Sequence, residues 1–172
     1  ASGRAPLGGL ASVLPPRVTP AGRRADLLVD AAEALLDGAA GRLLVIDDAH
    51  LLDAESAGAL HLAASQGGLT MVVTLRTGEP ADDAIVALWK DGFAERLDLE
   101  PLSRSETEAL ATALLGGPLD GVSAADLYAA TQGNPLFVRE PLVGAVDDGR
   151  IRQQGGLHRF LSWNLPILTD SG

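Results

Sequence analysis

Two short apolar runs stand out along the chain, and each ends in charged residues. The first run, Leu43–Ile46, is followed directly by Asp47 and Asp48. The second run, Leu69–Leu75, is followed by Arg76. Short uninterrupted apolar runs that include Val and Ile predict strands buried on both faces, as in a parallel sheet.

Helical spacing of apolar residues surrounds these two strands. Residues 23–37 predict an amphipathic helix, and Asp53 is predicted to cap a further helix that ends at about Gln66. Strand, crossover helix and strand over this length predict a right-handed parallel unit. A short helix at 81–89 and a strand at 95–99 follow, the latter exposed on one face and placed near a sheet edge.

The pattern becomes helical after residue 100. Ser103 and Glu106 predict a capping box at the start of one helix. Ser123 is predicted to cap a second helix, and Asn134, followed by proline, a third. Residues 150–161 predict a β-hairpin around a glycine pair.

Composition narrows the function classes. The 172 residues suffice for one domain, or for one domain with an appendage. A net charge of −10 argues against a chain that grips nucleic acid or an acidic membrane by itself. The absence of cysteine excludes disulfides and thiolate metal sites and fits a cytoplasmic location. No apolar run is long enough for a membrane span, and the first residues lack the apolar core of a signal peptide.

The chemistry of the chain is concentrated where the two predicted strands end. Because parallel strands present their carboxyl ends at one rim, Asp47, Asp48 and Arg76 are expected to converge there. Two carboxylates and a guanidinium suit Mg²⁺ bound together with a phosphate group. Two plainer interpretations stay open: the aspartates form a solvated turn after a core strand, and Arg76 merely neutralises them.

Four motifs in order extend this picture: LLVIDDAHLLDAES, VVTLRTGE, LEPLSRSETEAL and TQGNPLFVRE. Together they resemble the ATPase domain of the large LuxR-type transcriptional regulators, which belong to the STAND class of P-loop NTPases related to AAA+ ATPases. The resemblance covers roughly residues 5–150. It implies an α/β fold with an incomplete parallel P-loop NTPase-like core at 1–100, a helical lid at 101–149, and a hairpin and tail at 150–172 that begin a winged-helix-like region.

The resemblance also implies roles for individual residues of the rim. Asp47 is similar to the Walker B acid that holds Mg²⁺ through water, and Asp48 to the acid that acts on the attacking water. Arg76 is similar to the sensor arginine, so Asp48 and Arg76 are the candidate catalytic residues. His50 and Asp53 match the same motif, as supporting or capping groups and not as metal ligands.

The fourth motif implies a cofactor contact. Gly133, Asn134 and Pro135 resemble the segment that begins a lid helix, whose proline packs near adenine in members of the family. An ordinary helix start accounts for the same three residues, and the two interpretations do not exclude each other.

One element of the family is missing. The phosphate-binding pattern G-x-x-x-x-G-K-[ST] does not occur, and Lys90, the only lysine, lies in no glycine loop. We therefore expect a chain truncated at its N-terminus, in which ATP and Mg²⁺ belong to the intact parent and this chain alone binds neither and is inactive. Contact with DNA would need a domain outside the chain.

Two functions follow as expectations. One is a part of an ATP-dependent switch whose nucleotide state controls assembly and transcription. The alternative is a protein–protein interaction module that keeps the fold without nucleotide. In the family a P-loop strand covers one edge of the strand at 69–75. Without that strand, we expect either that residues 95–99 fill the edge or that the chain self-associates there.

Overall fold

The computed structural model describes residues 5–16, 18, 23–37 and 41–161. Within them the chain forms helices α1 to α6 and strands β1 to β4. In order these are α1 Arg24–Asp37, β1 Leu43–Ile46, α2 Ala54–Gln66, β2 Thr70–Val73, α3 Asp83–Lys90, α4 Arg104–Leu115, α5 Gly121–Thr131, α6 Pro135–Asp147, β3 Ile151–Gln154 and β4 Leu157–Phe160. The chain divides into two compact units, Ala1–Leu97 and Asp98–Gly172.

The first unit is built on the predicted strand, helix and strand. β1 and β2 pair in parallel, with Leu43 opposite Thr70 and Ile46 opposite Val73. One face of this sheet packs into a core that α1, α2 and α3 complete, and the helices supply it mainly with leucine and alanine. Two parallel strands occur in many α/β folds, so the larger P-loop NTPase-like core stays a prediction.

The second face of this sheet is not buried. Leu43 is 56% exposed, Val45 59% and Val72 49%, whereas Ile46 on the other face is 7% exposed. The prediction of strands buried on both faces is therefore wrong. Side chains alternate along a strand, so one face can be covered while the other is open, and no described element of the first unit covers the second face.

The strand predicted at 95–99 is also absent. Residues 95–103 have neither helix nor strand, and Leu97 and Leu99 are 82% and 88% exposed. An alternating pattern forms a strand only when a neighbouring strand supplies backbone partners, and the described sheets provide none there. These residues therefore do not fill the edge of β2.

The second unit follows its local signals closely. Ser103 and Glu106 form the capping box of α4, and Asn134 caps α6 with Pro135 in its first turn. β3 and β4 form the predicted hairpin around Gly155. A small core joins α4, α5 and α6, with partly buried side chains of the hairpin against it.

The cap of α5 differs from the prediction. The helix begins at Gly121, and Asp120 caps it by accepting hydrogen bonds from the backbone N–H groups of Val122 and Ser123 at 3.0 and 2.9 Å. Ser123 is therefore inside the first turn. Its hydroxyl oxygen accepts a hydrogen bond from the Phe160 N–H at 3.1 Å, so this side chain connects α5 to the hairpin.

Across the described residues, no helix has the length and apolar character needed to cross a membrane.

Candidate functional site

The carboxyl ends of β1 and β2 form one rim, as the sequence predicts. The ladder continues past the strands, because the Thr74 N–H donates to the Ile46 carbonyl at 2.9 Å. The Ala49 N–H then donates to the Thr74 carbonyl, also at 2.9 Å. These bonds place the residues after β1 beside those after β2.

Asp47 and Thr74 meet directly at this rim. The Thr74 hydroxyl donates to Asp47 Oδ1 at 2.6 Å, a short distance typical of an O–H bond to a carboxylate. Asp47 itself is exposed to solvent. Among the described residues, Oδ2 of Asp47 has no hydrogen-bond partner, so this oxygen has lone pairs for a ligand. Sequence reasoning overlooked Thr74, although a hydroxyl residue just before Arg76 is a visible signal.

Asp48 occupies an unusual backbone conformation. Its φ of 52° and ψ of 48° lie in the left-handed region, which non-glycine residues seldom adopt and which aspartate tolerates better than most. The Asp48 N–H donates to Thr74 Oγ1 at 2.9 Å. The tight turn therefore holds the carboxylate over the end of β2. Strained conformations of this kind recur at ligand sites.

Arg76 lies against Asp48 but is loosely held. Its Nε donates to Asp48 Oδ1 at 3.3 Å and its Nη2 to Oδ2 at 3.5 Å, both longer than an ordinary charged pair. Its side chain is 67% exposed. The expected convergence of Asp47, Asp48 and Arg76 is thus confirmed as geometry, and their catalytic and metal-binding roles stay predictions.

His50 lies behind the rim. Its side chain is 5% exposed, and its Nδ1 is 3.9 Å from Asp48 Oδ1. Among the described residues this buried nitrogen has no hydrogen-bond partner. The sequence indicated His50 as a supporting group, and its unpaired nitrogen facing Asp48 is a feature that only the structure shows.

Asp53 has a larger structural role than the predicted cap. Its carboxylate accepts the Ser56 N–H at 2.9 Å and the Ser56 hydroxyl at 2.7 Å. It also accepts the backbone N–H groups of Leu7 and Gly9, both at 3.0 Å. Burial alone raises the pKa of Asp53, but the four hydrogen bonds outweigh it and hold the pKa below its ordinary value. Asp53 therefore ties residues 7–9 to the start of α2.

Gly133, Asn134 and Pro135 lie in the second unit. Gly133 has a φ of 78°, and a Cβ there would come within 2.0 Å of the Leu102 carbonyl oxygen, so only glycine fits. Its carbonyl accepts the Leu102 N–H at 2.9 Å. Asn134 Oδ1 accepts the Leu136 N–H at 3.0 Å. Local backbone needs thus explain the motif, and its cofactor contact stays a prediction.

The described residues contain no group of three or more His, Cys, Asp or Glu side chains that could hold a metal ion by themselves. A cation at Asp47 would need oxygen ligands from water and from a bound anion. Mg²⁺ commonly binds in this way, with one or two carboxylates and the remaining positions filled by water and substrate phosphate.

Comparison with known proteins gives short matches only. The chain is 77% identical over 22 residues to a queuine tRNA-ribosyltransferase of Aquifex aeolicus (strain VF5), which is 13% of this chain and 6% of that protein. Over the same length and shares it is 73% identical to the Desulforudis audaxviator (strain MP104C) enzyme and 68% to the Pseudoalteromonas translucida (strain TAC 125) enzyme of that name. No family model and no solved structure matches the chain.

These matches overturn the resemblance to the ATPase domain of LuxR-type regulators. The chain matches queuine tRNA-ribosyltransferases and no ATPase family model. The expected ATP-dependent switch in transcription is therefore wrong, and so is the alternative of a nucleotide-free interaction module. The fourth motif misled because its residues also meet ordinary backbone requirements. Asn134, for example, is fully explained as a helix cap.

Proposed function

We propose that the rim formed by Asp47, Asp48, Thr74 and Arg76 binds a divalent cation together with the phosphate group of a small molecule. The observation that carries the proposal is that four side chains up to 29 residues apart in sequence (76 − 47) meet through direct contacts: Thr74 to Asp47, and Arg76 to Asp48.

The cation would be held by Asp47. Its carboxylate is exposed and fixed in position through Oδ1 by the Thr74 hydroxyl, so it is pre-oriented for a ligand. Carboxylate and water oxygens are the ligands that Mg²⁺ prefers. The Thr74 oxygen also accepts the Asp48 N–H, which links the two acidic residues into one arrangement.

The phosphate group would be held by Arg76. Its planar guanidinium matches phosphate oxygens, and its exposed, long contacts to Asp48 can be exchanged for contacts to an anion. A cation at Asp47 would lessen the repulsion between the aspartates and the phosphate. Each of the two ligands should therefore bind the rim more tightly when the other is already bound.

Affinity should be low. The sequence contains no glycine-rich loop of the P-loop type, so a row of backbone N–H donors for the phosphate is not supplied by that motif. We expect a Kd of about 1 mM for the wild-type chain. That the phosphate compound is ATP, and that this chain alone does not bind ATP tightly, stay predictions.

The lack of cysteine supports a cytoplasmic location.

Calorimetry with Mg²⁺ and pyrophosphate tests the proposal. We expect weak binding that needs both components, and a loss of at least about tenfold in affinity for Asp47→Asn and for Arg76→Gln. Arg104→Gln is the matched control, because Arg104 makes a comparable exposed ion pair with Glu108 at 3.0 Å in the second unit. Equal binding by all variants, or none by the wild-type chain at millimolar ligand, would refute the proposal.

A second candidate function is contact with tRNA. The 22-residue likeness to queuine tRNA-ribosyltransferases favours it. The net charge of −10 places it second, because proteins bind nucleic acid largely through basic side chains that neutralise phosphates. Filter binding with tRNA at low salt decides: retention that falls steeply with added salt would establish this candidate, and no retention would remove it.

A further inference from the structure

The buried nitrogen of His50 has no function in the rim as described above. His50 belongs to the short 3-10 turn Ala49–Leu51, and its side chain is almost fully buried. Its Nδ1 has no hydrogen-bond partner among the described residues. Leaving such a group unpaired is unfavourable, so its presence at a candidate site calls for an explanation.

An acceptor close to this nitrogen already has another donor. His50 Nδ1 lies 3.9 Å from Asp48 Oδ1, and Arg76 Nε donates to that same oxygen at 3.3 Å. A shift of roughly 1 Å would bring the oxygen within hydrogen-bond range of the imidazole. One oxygen of the Asp48 carboxylate therefore has an exposed guanidinium and a buried imidazole close to it.

The backbone around Asp48 allows this movement to occur in the side chain alone. The Asp48 N–H is held by Thr74 Oγ1, and the N–H of the following Ala49 by the Thr74 carbonyl. Ala49 is itself 1% exposed. A rotation about the side-chain bonds of Asp48 can carry Oδ1 from Arg76 towards His50 without moving the turn.

We propose that His50 is a positioning residue for Asp48. It forms a hydrogen bond with the Asp48 carboxylate when Arg76 turns to a bound phosphate group. The inference rests on the proposed function of the rim. In the free protein Arg76 and Asp48 neutralise each other. When phosphate draws the guanidinium away, the His50 Nδ1–H donates to Asp48 Oδ1 and keeps the carboxylate oriented beside the cation.

The exchange removes two unfavourable features of phosphate binding. Without a second donor, Asp48 would lose its partner as Arg76 leaves, and its negative charge would face the incoming anion. With His50, the carboxylate gains a hydrogen bond and the buried Nδ1 is satisfied in the same step. The imidazole must carry a proton on Nδ1 for this role, and the experiment should find it there.

The first test needs no ligand and so does not depend on phosphate binding. In Arg76→Gln the competing charged donor is gone, and Asp48 should settle on His50. Ring ¹⁵N NMR should then show a protonated Nδ1 whose proton exchanges more slowly than in the wild-type chain. His61, whose Nε2 lies 3.1 Å from Asp91 away from the rim, is the internal control and should not change. Identical His50 signals in both proteins would overturn the inference.

The second test uses variants of His50 in pyrophosphate binding with Mg²⁺. His50→Asn places an amide N–H close to where Nδ1 lies and should keep affinity within about twofold, while His50→Leu should lose about tenfold. The matched change His61→Leu should have no effect. Equal loss in His50→Asn and His50→Leu with unchanged folding would refute the positioning role. If the wild-type chain binds nothing, the proposed function fails, and the ligand-free NMR comparison still decides the role of His50.

Discussion

The contacts that stabilise each of the two units internally differ in how far apart their residues lie in the sequence. In the first unit, Asp53 at the start of α2 binds the backbone of Gly9 and Leu7, which are 44 and 46 positions away in the sequence. At the rim, Asp47 binds the hydroxyl of Thr74, which is 27 positions away. In the second unit, Ser103, Asp120 and Asn134 cap their helices through bonds spanning two or three residues. The first unit thus carries the candidate chemistry on long-range contacts, whereas the second is specified largely by its local sequence.

This contrast predicts that the same kind of substitution has unequal effects in the two units. Asp53→Ala should be the most disruptive change, because it removes a cap and also leaves the N–H groups of Leu7 and Gly9 without their acceptor. We expect a loss of about 3–5 kcal/mol in the free energy of unfolding of the first unit. Urea denaturation, monitored by the fluorescence of Trp89 in a Trp163→Phe background, measures this loss.

The matched control in the second unit is Ser103→Ala, which removes only an exposed cap and should lose about 1 kcal/mol. Losses of the same size for Asp53→Ala and Ser103→Ala would erase the contrast between the units.

Acid should act on the first unit through the same carboxylate. Because the pKa of Asp53 is lowered in the folded protein, its contribution is complete above its unfolded value of 3.8 and is lost as the pH falls through the lower folded pKa. The stability difference between the wild-type chain and Asp53→Ala should therefore be constant above about pH 5 and shrink below 3.8. A difference that grows on acidification would contradict the assignment.

Gly133 departs from the local pattern of the second unit because it contacts a distant backbone segment, as Ser123 also does through its hydrogen bond with Phe160. Gly133→Ala should lower the free energy of unfolding by about 2–4 kcal/mol, because the new Cβ meets the Leu102 carbonyl oxygen and because alanine must adopt a positive φ there. Gly116→Ala has a similar φ of 70° but open space around it, so it should lose only about 1 kcal/mol. Thermal unfolding of both variants separates the clash from the strain, and equal losses would show that the close approach to Leu102 is unimportant.

The smallest effect that we expect is weak self-association of the chain through the edge and the exposed face of the first sheet. Residues 69–75 contain no charged side chain, so a second copy can approach this strand despite the net charge of −10. We expect sedimentation to show a weak dimer at about 100 μM that Val72→Lys abolishes. Val122→Lys, at a 65% exposed position in the second unit, should leave the dimer intact. A wild-type monomer at that concentration would refute self-association.

Prediction from sequence succeeded where the signal was local. The capping box at Ser103, the cap at Asn134 and the hairpin around Gly155 depend on a few adjacent residues and were predicted correctly. The rim was predicted because parallel strands bring their ends together whatever packs around them.

The failures involve contacts with distant or missing partners. Burial of Val45 and pairing of residues 95–99 both needed a neighbouring element that the described residues do not supply. The bond from Leu7 to Asp53 spans 46 positions and has no sequence signal. The unpaired Nδ1 of His50 is visible only once the packing is known.

The central claim is that the rim brings a cation and a phosphate group together, and paramagnetic relaxation by Mn²⁺ in place of Mg²⁺ tests it most directly. In an ¹⁵N-labelled chain with pyrophosphate present, Mn²⁺ at low stoichiometry should broaden the amide signals of Asp47, Asp48 and Thr74 first. Asp47→Asn should abolish this selectivity, whereas Asp91→Asn, at an exposed carboxylate elsewhere in the first unit, should preserve it. Selective broadening at the rim that depends on both Asp47 and pyrophosphate is the predicted result. Uniform broadening over all exposed carboxylates, unaffected by Asp47→Asn, would contradict the claim.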